Sequence, residues 1–578
     1  MASSDENSAT FYVFLAVVVT PLTVFITRKY KIKKQSLSRN LSPHSKNVFP
    51  TIAYILLVLV NFGVWYKAIS SWAGSSGNNN LSGPHTFNLL SSPISPKISE
   101  RRFEKMDISG FSTFEGSHKS DCSQSQYIDR KAVSVSTAKK LNYPHEMKFI
   151  RDIAKKLLDE GSYPVLKYAF DDGPMQTESD ILKHKWYKIS GSAVWLDKYE
   201  VYLMVSRVFY SAFGARHRST ISFLYGEVYD RDWNQLRYKF DNMDLVFPTI
   251  FPADVDFQDE VTYLGPEDPH VVLREFKNPK TGKVDQEPVI TFAQRSKQIM
   301  YKQAMHVYRP FTDIRKIVRF TIEDTVPKLQ DKSWGPFMDE DKNFINFIYT
   351  FSPFRVIKCN IESGECTKIT GDAFFEPETH AKNEVGALRG GSNLVQIPEN
   401  VLPLHLAKTR KYWFGFGRSH SGECGCAREV FRPNGVLISR PIDKEGDFSF
   451  DYVTTLLDFN IQPELWIVIK SDNACDNARS VLTPGSLASW DFVDKSDFSF
   501  GARGVEDVMA ITLSEADNMV KVVQVRGFLN HILKFLNGDP KSIERHYSKT
   551  DELSKYNSFL AKCSIYLFAE YCDLRISE

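Results

Sequence analysis

Residues 200–229 read EVYLMVSRVFYSAFGARHRSTISFLYGEVY, two short apolar runs rich in β-branched and aromatic residues and separated by small and polar residues. Comparable runs recur from Trp186 to about Arg526, among them VVLREF, VITFA, NFINFIYTF, GVLISR and VKVVQVRG, and helical periodicity is scarce between them. Short strands at this regular spacing indicate a sandwich, a barrel or a propeller. The region spans roughly 340 residues, which is large for one sandwich and suits a propeller.

The composition excludes two broad classes of protein. With 42% hydrophobic and 25% charged residues, the chain can bury a large core, so intrinsic disorder is excluded for most of it. The 72 Lys and Arg residues nearly balance the 70 Asp and Glu residues, so no global basic field favours nucleic acid. Aromatic residues make up 13% of the chain, which fits a strand-rich fold and also suits stacking on sugar rings.

Two uncharged segments near the N-terminus, residues 11–27 and 48–66, approach the length that crosses a bilayer. The loop between them is basic and has no acidic residue, so the positive-inside rule keeps this loop cytosolic. A signal-peptide core is the alternative for the first segment, but acidic residues precede it and no small-residue cleavage site follows. If only the second segment spans, the chain has a type II anchor. In both cases we expect everything after residue 67 in the lumen.

Helical patterns lie on both sides of the β region. Apolar residues recur at helical spacing between Pro144 and Gly161, and the pattern is helical again from Phe528 to Asp573. The segment after the second span is rich in Ser, Gly and Pro, which is typical of a stalk. We therefore divide the chain into a membrane anchor at 1–66, a luminal stalk at 67–140, a β domain at 141–530 and a helical tail at 531–578.

Glycosylation and cysteine patterns agree with a secretory-pathway address. Asn80 begins an N-glycosylation sequon, Asn-Leu-Ser, in the predicted stalk. Among the eight cysteines, Cys359 and Cys366 bracket a short segment that is typical of a hairpin turn. A zinc site would favour paired CxxC spacing, which is absent, so disulfides are the preferred interpretation. Cys359–Cys366 is the first bridge that we predict.

An acidic pair between prolines is the main candidate for catalysis. In GPEDPHVVL, residues 265–273, Pro266 and Pro269 restrict the backbone around Glu267 and Asp268 at the start of a predicted strand. Sugar transfer needs a positioned carboxylate that accepts a hydroxyl proton beside an anomeric carbon that develops positive charge. Asp-Pro turns are also common without such a role, so an ordinary turn is the alternative.

Basic and aromatic residues farther along are candidates for substrate binding. Lys332 and Trp334 in KSWGPF offer a cation for phosphate and a stacking face; the alternative is a Trp packed under a turn. Bidentate arginine contacts suit a diphosphate, although each of these residues could instead form a surface ion pair. The diphosphate candidates are Arg389, Arg418, His420 and Arg428. Asp517 ends a strand, where its carboxylate could bind sugar hydroxyls or belong to an ordinary turn.

A competing motif would imply a metal ion. Asp254-Val255-Asp256 has the DxD form with which many nucleotide-sugar transferases hold a divalent cation. Matches of three residues arise often by chance, and no alternation of strands and helices surrounds this one. We therefore predict no metal site here and leave a Mn²⁺ requirement open.

Taken in this order, these segments resemble the fungal β-mannosyltransferase family that adds β-1,2-linked mannose to cell-wall mannan. The similarity covers approximately residues 145–530 and is carried by GPEDPHVVLRE, KSWGPF, FIYTFSPFRVIKC, LRGGSN, CGCAREVFRP and LTPGSLASWDFV. The EDP, KxWxPF and strand-end AD elements are more distantly similar to inverting β-1,2-mannoside phosphorylases, which are five-bladed β-propellers. The resemblance implies a mainly β fold, a five-bladed propeller with flanking helices and an N-terminal membrane anchor.

The resemblance also implies roles for individual residues. Asp268 falls on the catalytic residue that acts as acid or base. The other matches are expected to bind substrate, and they are Glu267, the strand-end Arg207, Lys332 and Trp334 of KxWxPF, and the carboxylate Asp517. His270 stands where an arginine more often follows EDP, so no role is assigned to it.

The implied reaction transfers mannose from GDP-mannose with inversion onto a mannan or oligomannoside hydroxyl and forms a β-1,2 linkage. It requires no cofactor. We expect a Golgi membrane protein with a luminal catalytic domain and no nucleic-acid partner. A luminal phosphorylase or hydrolase and a non-catalytic mannan-binding propeller are the alternatives. The acceptor class, chain initiation or elongation, and the oligomeric state stay open.

Overall fold

The computed structural model describes residues 102–106, 108, 110–112, 126–127, 133–170, 176–258, 261–278, 282–371, 388–422, 424, 427, 429–467, 478–494, 505–536 and separate positions between 560 and 572. Within these residues, no helix combines the length and the apolar character needed to cross a bilayer. The predicted spans at 11–27 and 48–66 and the predicted glycosylation site Asn80 lie outside the described residues.

Short strands and two helices precede the main sheets. The strands in the described N-terminal part are β1 Phe103–Met106, β2 Gly110–Ser112, β3 Gln126–Tyr127, β4 Val133–Ser136 and β5 Lys139–Lys140. Helix α1, Glu146–Asp159, covers the helix that apolar spacing predicts, and Gly161 follows it with a φ of 68°. Helix α2, Glu178–His184, begins after Thr177, whose hydroxyl accepts a hydrogen bond from the Asp180 N–H at 3.2 Å.

Three antiparallel sheets follow one another along the chain. Sheet 1 consists of β6 Trp186–Leu196, β7 Val201–Tyr210, β8 Ile221–Tyr229, β9 Gln235–Leu236 and β12 Thr249–Ile250, with a separate ladder of β10 Tyr238–Lys239 and β11 Val246–Phe247. Sheet 2 consists of β13 Glu267–Lys277, β14 Val284–Ser296, β15 Lys302–Tyr308 and β16 Ile317–Arg319. Sheet 3 consists of β17 Thr321–Ile322, β18 Gly335–Phe337, β19 Phe344–Phe351, β20 Phe354–Asn360 and β21 Glu365–Thr370, in which β17 alone pairs parallel.

The remaining strands form two ladders that are joined. Sheet 4 consists of β22 Leu388–Gly390, β23 Val395–Gln396, β24 Arg410–Ser421, β25 Glu429–Pro441, β26 Ser449–Thr454 and β27 Leu465–Ile467, with β2 and β3 at its edge. Sheet 5 consists of β28 Ala478–Asp494, β29 Val505–Glu515 and β30 Met519–Arg526, and the N-terminal strands β1, β4 and β5 complete it. Short parallel pairing of β25 with β28 joins the two sheets, while β27 pairs with β28 from the other side. Helices α3 Leu404–Ala407 and α4 Phe528–Leu536 lie between and after these strands.

Neighbouring sheets pack face to face over separate apolar cores. Residues that share a core across each boundary include Leu203 and Ile290 between sheets 1 and 2, Met305 and Phe347 between 2 and 3, Ile348 and Trp413 between 3 and 4, Phe414 and Ile511 between 4 and 5, and Ala510 and Met204 between 5 and 1. The last of these boundaries returns to sheet 1, so the described sheets close on themselves. The predicted mainly β fold is confirmed.

Two disulfides link described residues. Cys359 and Cys366, the pair predicted from the sequence, face each other in the β20–β21 hairpin. A second bridge joins Cys424, after β24, to Cys572 in the helical tail, across 148 positions. Because Cys424 follows a strand of sheet 4, this second bridge attaches the helical tail to that sheet.

Candidate active site

Asp268 lies where β13 begins, in an unusual backbone conformation. The register of the β13–β14 pair shifts between Glu267 and His270, and Asp268 within that bulge has a φ of 48°. A residue with a Cβ is strained in this left-handed region and persists there only where its surroundings fix it. Gly265 (φ 79°) approaches the neighbouring strand so closely that a Cβ would lie 2.1 Å from the Ser222 carbonyl oxygen. The segment before Asp268 is therefore fixed by close backbone packing.

Three cationic side chains determine the charge state of Asp268. Arg418 Nη2 lies 3.6 Å from Asp268 Oδ2, and these side chains are 19% and 23% exposed. Burial raises the pKa of Asp268, but Arg418, Lys332 and Arg207 outweigh it and hold the pKa well below its usual range. The carboxylate is therefore ionised at neutral pH and available to accept a proton.

Glu267, the other member of the acidic pair, is buried and binds two of the same cations. Its Oε1 lies 3.7 Å from Arg207 Nη2, and its Oε2 lies 3.3 Å from Lys332 Nζ. Arg207 also donates hydrogen bonds to the hydroxyls of Ser222, at 3.0 Å, and Ser219, at 2.9 Å. These contacts fix the guanidinium of Arg207 beside the catalytic candidate.

Asp517 lies in the β29–β30 turn, where both Ala516 and Asp517 have left-handed φ angles of 52° and 48°. Burial raises the pKa of Asp517, and the negative charge of Asp268 raises it further, while Arg479, Arg216 and Arg207 act in the opposite direction. The two carboxylates are therefore close enough to interact electrostatically, as two groups that serve one substrate would be.

Each of sheets 1 to 5 contributes at least one side chain to this cluster. The contributors are Arg207 on β7 of sheet 1, Asp268 on β13 of sheet 2, Lys332 before β18 of sheet 3, Arg418 on β24 of sheet 4 and Asp517 in the β29–β30 turn of sheet 5. All of these residues were predicted separately from the sequence, and the structure brings them together.

Trp334 is placed differently from the expectation of an open stacking face. It is 2% exposed, and its ring packs edge-on against Phe347 and Tyr349 with centroids 5.2 and 5.3 Å apart. Its Nε1 donates a hydrogen bond to Asp331 at 2.9 Å. The indole therefore belongs to the core between sheets 2 and 3, which is the packed alternative that the sequence left open.

Three of the four predicted diphosphate residues lie in the part of the chain that the structure describes. Arg389 and Arg418 are cross-strand partners in the β22–β24 pair, and Arg418 Nη2 donates a hydrogen bond to Ser333 Oγ at 2.6 Å. His420 stacks on Phe431 with ring centroids 4.3 Å apart, and burial lowers the pKa of His420. Arg418 and His420 lie near the end of β24, and Arg389 lies opposite Arg418 on β22. Arg428 lies outside the described residues.

His270 follows the EDP motif and is buried. Its Nδ1 lies 3.3 Å from the Gly485 carbonyl oxygen, to which the neutral ring donates a hydrogen bond. Burial lowers the pKa of His270 to about 4, even though Asp268 acts in the opposite direction. His270 is therefore uncharged at neutral pH and joins sheet 2 to sheet 5.

One of the two aspartates of the DxD motif, Asp256, forms structural hydrogen bonds. Asp256 Oδ2 accepts hydrogen bonds from the Lys297 N–H at 2.7 Å and the Ser296 hydroxyl at 3.2 Å, while Asp254 is exposed. In the part of the chain that the structure describes, no group of three or more His, Cys, Asp or Glu side chains has the arrangement of a metal site.

Three residues near Asp517, namely Arg216, Trp466 and Arg479, were not predicted from the sequence. Arg216 Nη1 donates a hydrogen bond to the Ala516 carbonyl at 2.8 Å, and its guanidinium lies 5.1 Å from the centroid of the Trp466 ring. Arg479 lies 5.3 Å from the same centroid. The basic loop GARHRS, residues 214–219, was the signal that could have indicated Arg216.

A family model described as β-mannosyltransferases matches residues 121–309 and 308–571. The chain belongs to the β-mannosyltransferase family. It is 36% identical over 577 residues to β-mannosyltransferase 3 of Candida albicans, which covers 98% of this chain and 97% of that protein. It is 32% identical to β-mannosyltransferase 4 of Komagataella phaffii over 420 residues, 71% of this chain and 76% of that one. As a member of this family, the chain is a glycosyltransferase, and the resemblance seen in its motifs is confirmed.

Among solved structures, a β-1,2-mannobiose phosphorylase from Listeria innocua matches with a TM-score of 0.34 and 9% identity, covering 64% of this chain and 96% of that one.

Proposed function

We propose that this β-mannosyltransferase transfers mannose from GDP-mannose, with inversion, onto the 2-hydroxyl of a mannan or oligomannoside. The observation that carries the proposal is the convergence on Asp268 of side chains from the four other sheets, Arg207, Lys332, Arg418 and Asp517. The convergence combines an ionised carboxylate with cations suited to a diphosphate, which are the groups that transfer from a nucleotide sugar requires.

We further infer that the five sheets are the blades of one propeller. Sheet-to-sheet contacts run in chain order and return from sheet 5 to sheet 1, and strands β1 and β4 from the N-terminal side complete the last sheet. Separate sheets contribute to one cluster of side chains only where their inner edges meet, which in a propeller is the central axis. The site would then lie at that axis.

In the proposed reaction, Asp268 acts as a general base. The acceptor oxygen forms a bond to the anomeric carbon while the bond from that carbon to the β-phosphate oxygen breaks, and the electron pair leaves with GDP. The hydroxyl proton passes to Asp268, directly or through a sugar hydroxyl. A single displacement on the α-linked donor produces a β linkage. Glu267, Arg207 and Asp517 would bind mannose hydroxyls beside the anomeric carbon.

Donor binding would adjust the basicity of Asp268. Without substrate, Arg418 and Lys332 hold the pKa of Asp268 low, which makes it a weak base. A diphosphate bound to the same cations adds negative charge nearby and draws their hydrogen bonds away, and both effects raise the carboxylate pKa. The base would therefore become stronger when the donor is in place, which limits proton uptake in the empty enzyme.

Cationic side chains, rather than a metal ion, would neutralise the diphosphate in this proposal. Arg418 lies 3.6 Å from Asp268, Arg389 is its cross-strand partner on β22, and His420 follows Arg418 two residues along β24. A Mn²⁺-dependent activity that is lost when Asp254 and Asp256 are both replaced by Ala would contradict this part of the proposal.

The cellular setting is proposed from the sequence. Uncharged segments at 11–27 and 48–66 with a basic loop between them would anchor the protein in a Golgi membrane, with the catalytic domain and a glycosylated Asn80 in the lumen. The disulfide between Cys359 and Cys366 agrees with an oxidising compartment.

Incubation of the purified full-length chain with GDP-mannose and β-1,2-mannobiose tests the proposed function. We expect chain extension, with β-1,2 linkages identified by methylation analysis and NMR. Shortening of the mannoside that depends on inorganic phosphate would instead identify a phosphorylase. Binding without turnover would identify a mannan-binding protein.

A further inference from the structure

A second group of basic and aromatic side chains lies next to Asp517. Arg479 on β28 stands in register between Glu429 on β25 and Trp466 on β27. Its Nη2 lies 2.9 Å from Glu429 Oε2, and its guanidinium carbon lies 5.3 Å from the Trp466 ring centroid. Arg216 reaches the same ring from the β7–β8 loop of sheet 1 at 5.1 Å. Two arginines from different sheets therefore converge on one indole beside Asp517.

Two ring nitrogens in this group have no hydrogen-bond partner among the described residues. Trp466 is 8% exposed, and its Nε1 is buried and unpaired. The Nε2 atom of His420 is buried and unpaired as well. Buried polar atoms are seldom left unsatisfied in folded proteins, because the lost hydration is not recovered. The indole N–H is a donor, and His420 Nε2 is a donor in the tautomer that carries the proton there, so a ligand with acceptor oxygens would satisfy both atoms.

Arg479 connects this group of side chains to the Asp268 cluster. Burial has the largest effect on the pKa values of His217, His420 and Asp517, and Arg479 lowers all three. Asp517 in turn interacts with Asp268. The unpaired nitrogens, the two arginines and the catalytic candidate therefore belong to one continuous region.

Cations exceed carboxylates in this region. Its described cationic side chains include Arg207, Arg216, Lys332, Arg389, Arg418 and Arg479, and its carboxylates include Glu267, Asp268, Glu429 and Asp517. Among these side chains the formal excess is two positive charges, and burial lowers the pKa of the nearby histidines His217 and His420. A diphosphate supplies negative charge of this size, whereas a neutral mannoside supplies none.

We propose that Arg479, Arg216 and Trp466 bind the diphosphate of the nucleotide-sugar donor on the Asp517 side of the site. This inference rests on the proposed function and adds residues to its diphosphate site. The two guanidiniums would bind phosphate oxygens in bidentate fashion, and the indole N–H would donate one further hydrogen bond. As the bond to the anomeric carbon breaks, the electron pair moves to the β-phosphate oxygen, where these donors stabilise the added charge.

Equilibrium binding to the full-length chain tests this inference, with GDP, GMP and β-1,2-mannobiose as separate probes. Loss of one charge-assisted contact weakens binding about 10- to 100-fold. We expect that loss of GDP affinity in Arg479→Gln and Arg216→Gln, together with a GDP-to-GMP affinity ratio that falls toward one. Trp466→Phe keeps the ring and removes the N–H, so we expect a smaller loss of about 3- to 10-fold. Mannobiose affinity should change less than about twofold in Arg479→Gln and Trp466→Phe. Arg216→Gln also loses its hydrogen bond to the Ala516 carbonyl beside Asp517, so the GDP-to-GMP affinity ratio is the readout for that variant.

Two control variants separate ligand binding from a structural role. Arg231→Gln removes an equivalent contact, a guanidinium 4.8 Å from the Trp195 ring, at the end of sheet 1 opposite Arg207, and should leave GDP affinity unchanged. Glu429→Gln removes the ion-pair partner of Arg479 while keeping the arginine. If Arg479 binds phosphate, Glu429→Gln retains or strengthens GDP binding, because a nearby negative charge is lost.

The outcomes distinguish this inference from the proposed function. Wild-type chain that binds no GDP would overturn both. GDP affinity within threefold of wild type in Arg479→Gln and Arg216→Gln, alongside normal mannosyl transfer by wild type, would overturn the inference alone. A loss of GDP affinity in Glu429→Gln equal to that in Arg479→Gln would also overturn it, because Arg479 would then act only through its ion pair.

Discussion

Replacing Arg418 by Gln should move the acidic limb of the pH–rate profile upward. Arg418 Nη2 lies 3.6 Å from Asp268 Oδ2. At that distance two unit charges interact by about 1 kcal/mol at the dielectric constant of water and about 5 kcal/mol at an effective value of 20. Both side chains are partly exposed, so we take about 1.5 to 3 kcal/mol, which corresponds to about one to two pKa units. Losing the cation destabilises the carboxylate, so the Asp268 pKa rises.

The assay is kcat/KM for mannosyl transfer, measured from pH 2 to 8 on wild type, Arg418→Gln and Arg418→Lys. Wild type should keep its activity at the low end of this range as far as Asp268 is concerned, because its pKa is held low. Arg418→Gln should lose activity as pH falls through a limb about one to two units higher. Arg418→Lys keeps the charge and should stay within about half a unit of wild type. An acidic limb of Arg418→Gln that coincides with wild type would refute the assignment of this pair.

Three further predictions concern the scaffold. Gly265→Ala places a Cβ 2.1 Å from the Ser222 carbonyl oxygen and should lower kcat at least about 10-fold. The control Gly282→Ala has a similar φ of 69° and no atom within 4 Å of the added Cβ, so it should retain activity. Equal effects of the two substitutions in a transfer assay would argue against positioning by Gly265. Burial raises the pKa of Asp507 to about 6, so the stabilising contribution of Asp507 is largest below pH 4 and is lost as pH rises through 6. Through this residue, wild type should be about 1 kcal/mol more stable at pH 5 than at pH 7. Thermal denaturation of Asp507→Asn should lack that difference. Lys188→Met leaves the buried Glu146 and Glu227 without their shared cation and should lower the free energy of unfolding by about 3 to 5 kcal/mol. A loss below about 1 kcal/mol in a denaturant titration would contradict this account of the three buried charges.

Local patterns were sufficient to predict the β fold and several of the site residues. Apolar runs separated by turn clusters predicted the strands, because strand formation and hairpin turns depend on neighbouring residues. Two prolines around Glu267 and Asp268 indicated a fixed backbone, and the structure has a bulge with a left-handed φ at Asp268. The short spacing of Cys359 and Cys366 predicted their hairpin in the same way.

Features that depend on distant parts of the chain could not be predicted. Arg216 and Arg479 are 263 positions apart and meet at Trp466 only because sheet 5 packs against sheet 1. Neither residue stands in a pattern that distinguishes it from a surface arginine. The bridge from Cys424 to Cys572 is of the same kind, because cysteine connectivity over long separations is not contained in spacing.

Trp334 shows the limit of reasoning from residue type alone. An indole can stack on a sugar or fill a core, and both uses favour the same motif. The decisive fact is the side of β18 on which the ring lies, and it packs between sheets 2 and 3 against Phe347 and Tyr349. Lys332, two residues earlier, reaches Glu267 at the site instead.

The most direct test of the central claim is mannosyl transfer by Asp268→Asn, measured with GDP-mannose and mannobiose beside wild type at neutral pH. The account predicts a fall in kcat of about 10²- to 10⁴-fold, with unchanged GDP affinity or somewhat tighter binding and a domain that remains folded, because the amide cannot accept the hydroxyl proton. Transfer by Asp268→Asn within tenfold of wild type, with the same β-1,2-linked product, would contradict the claim that Asp268 is the base.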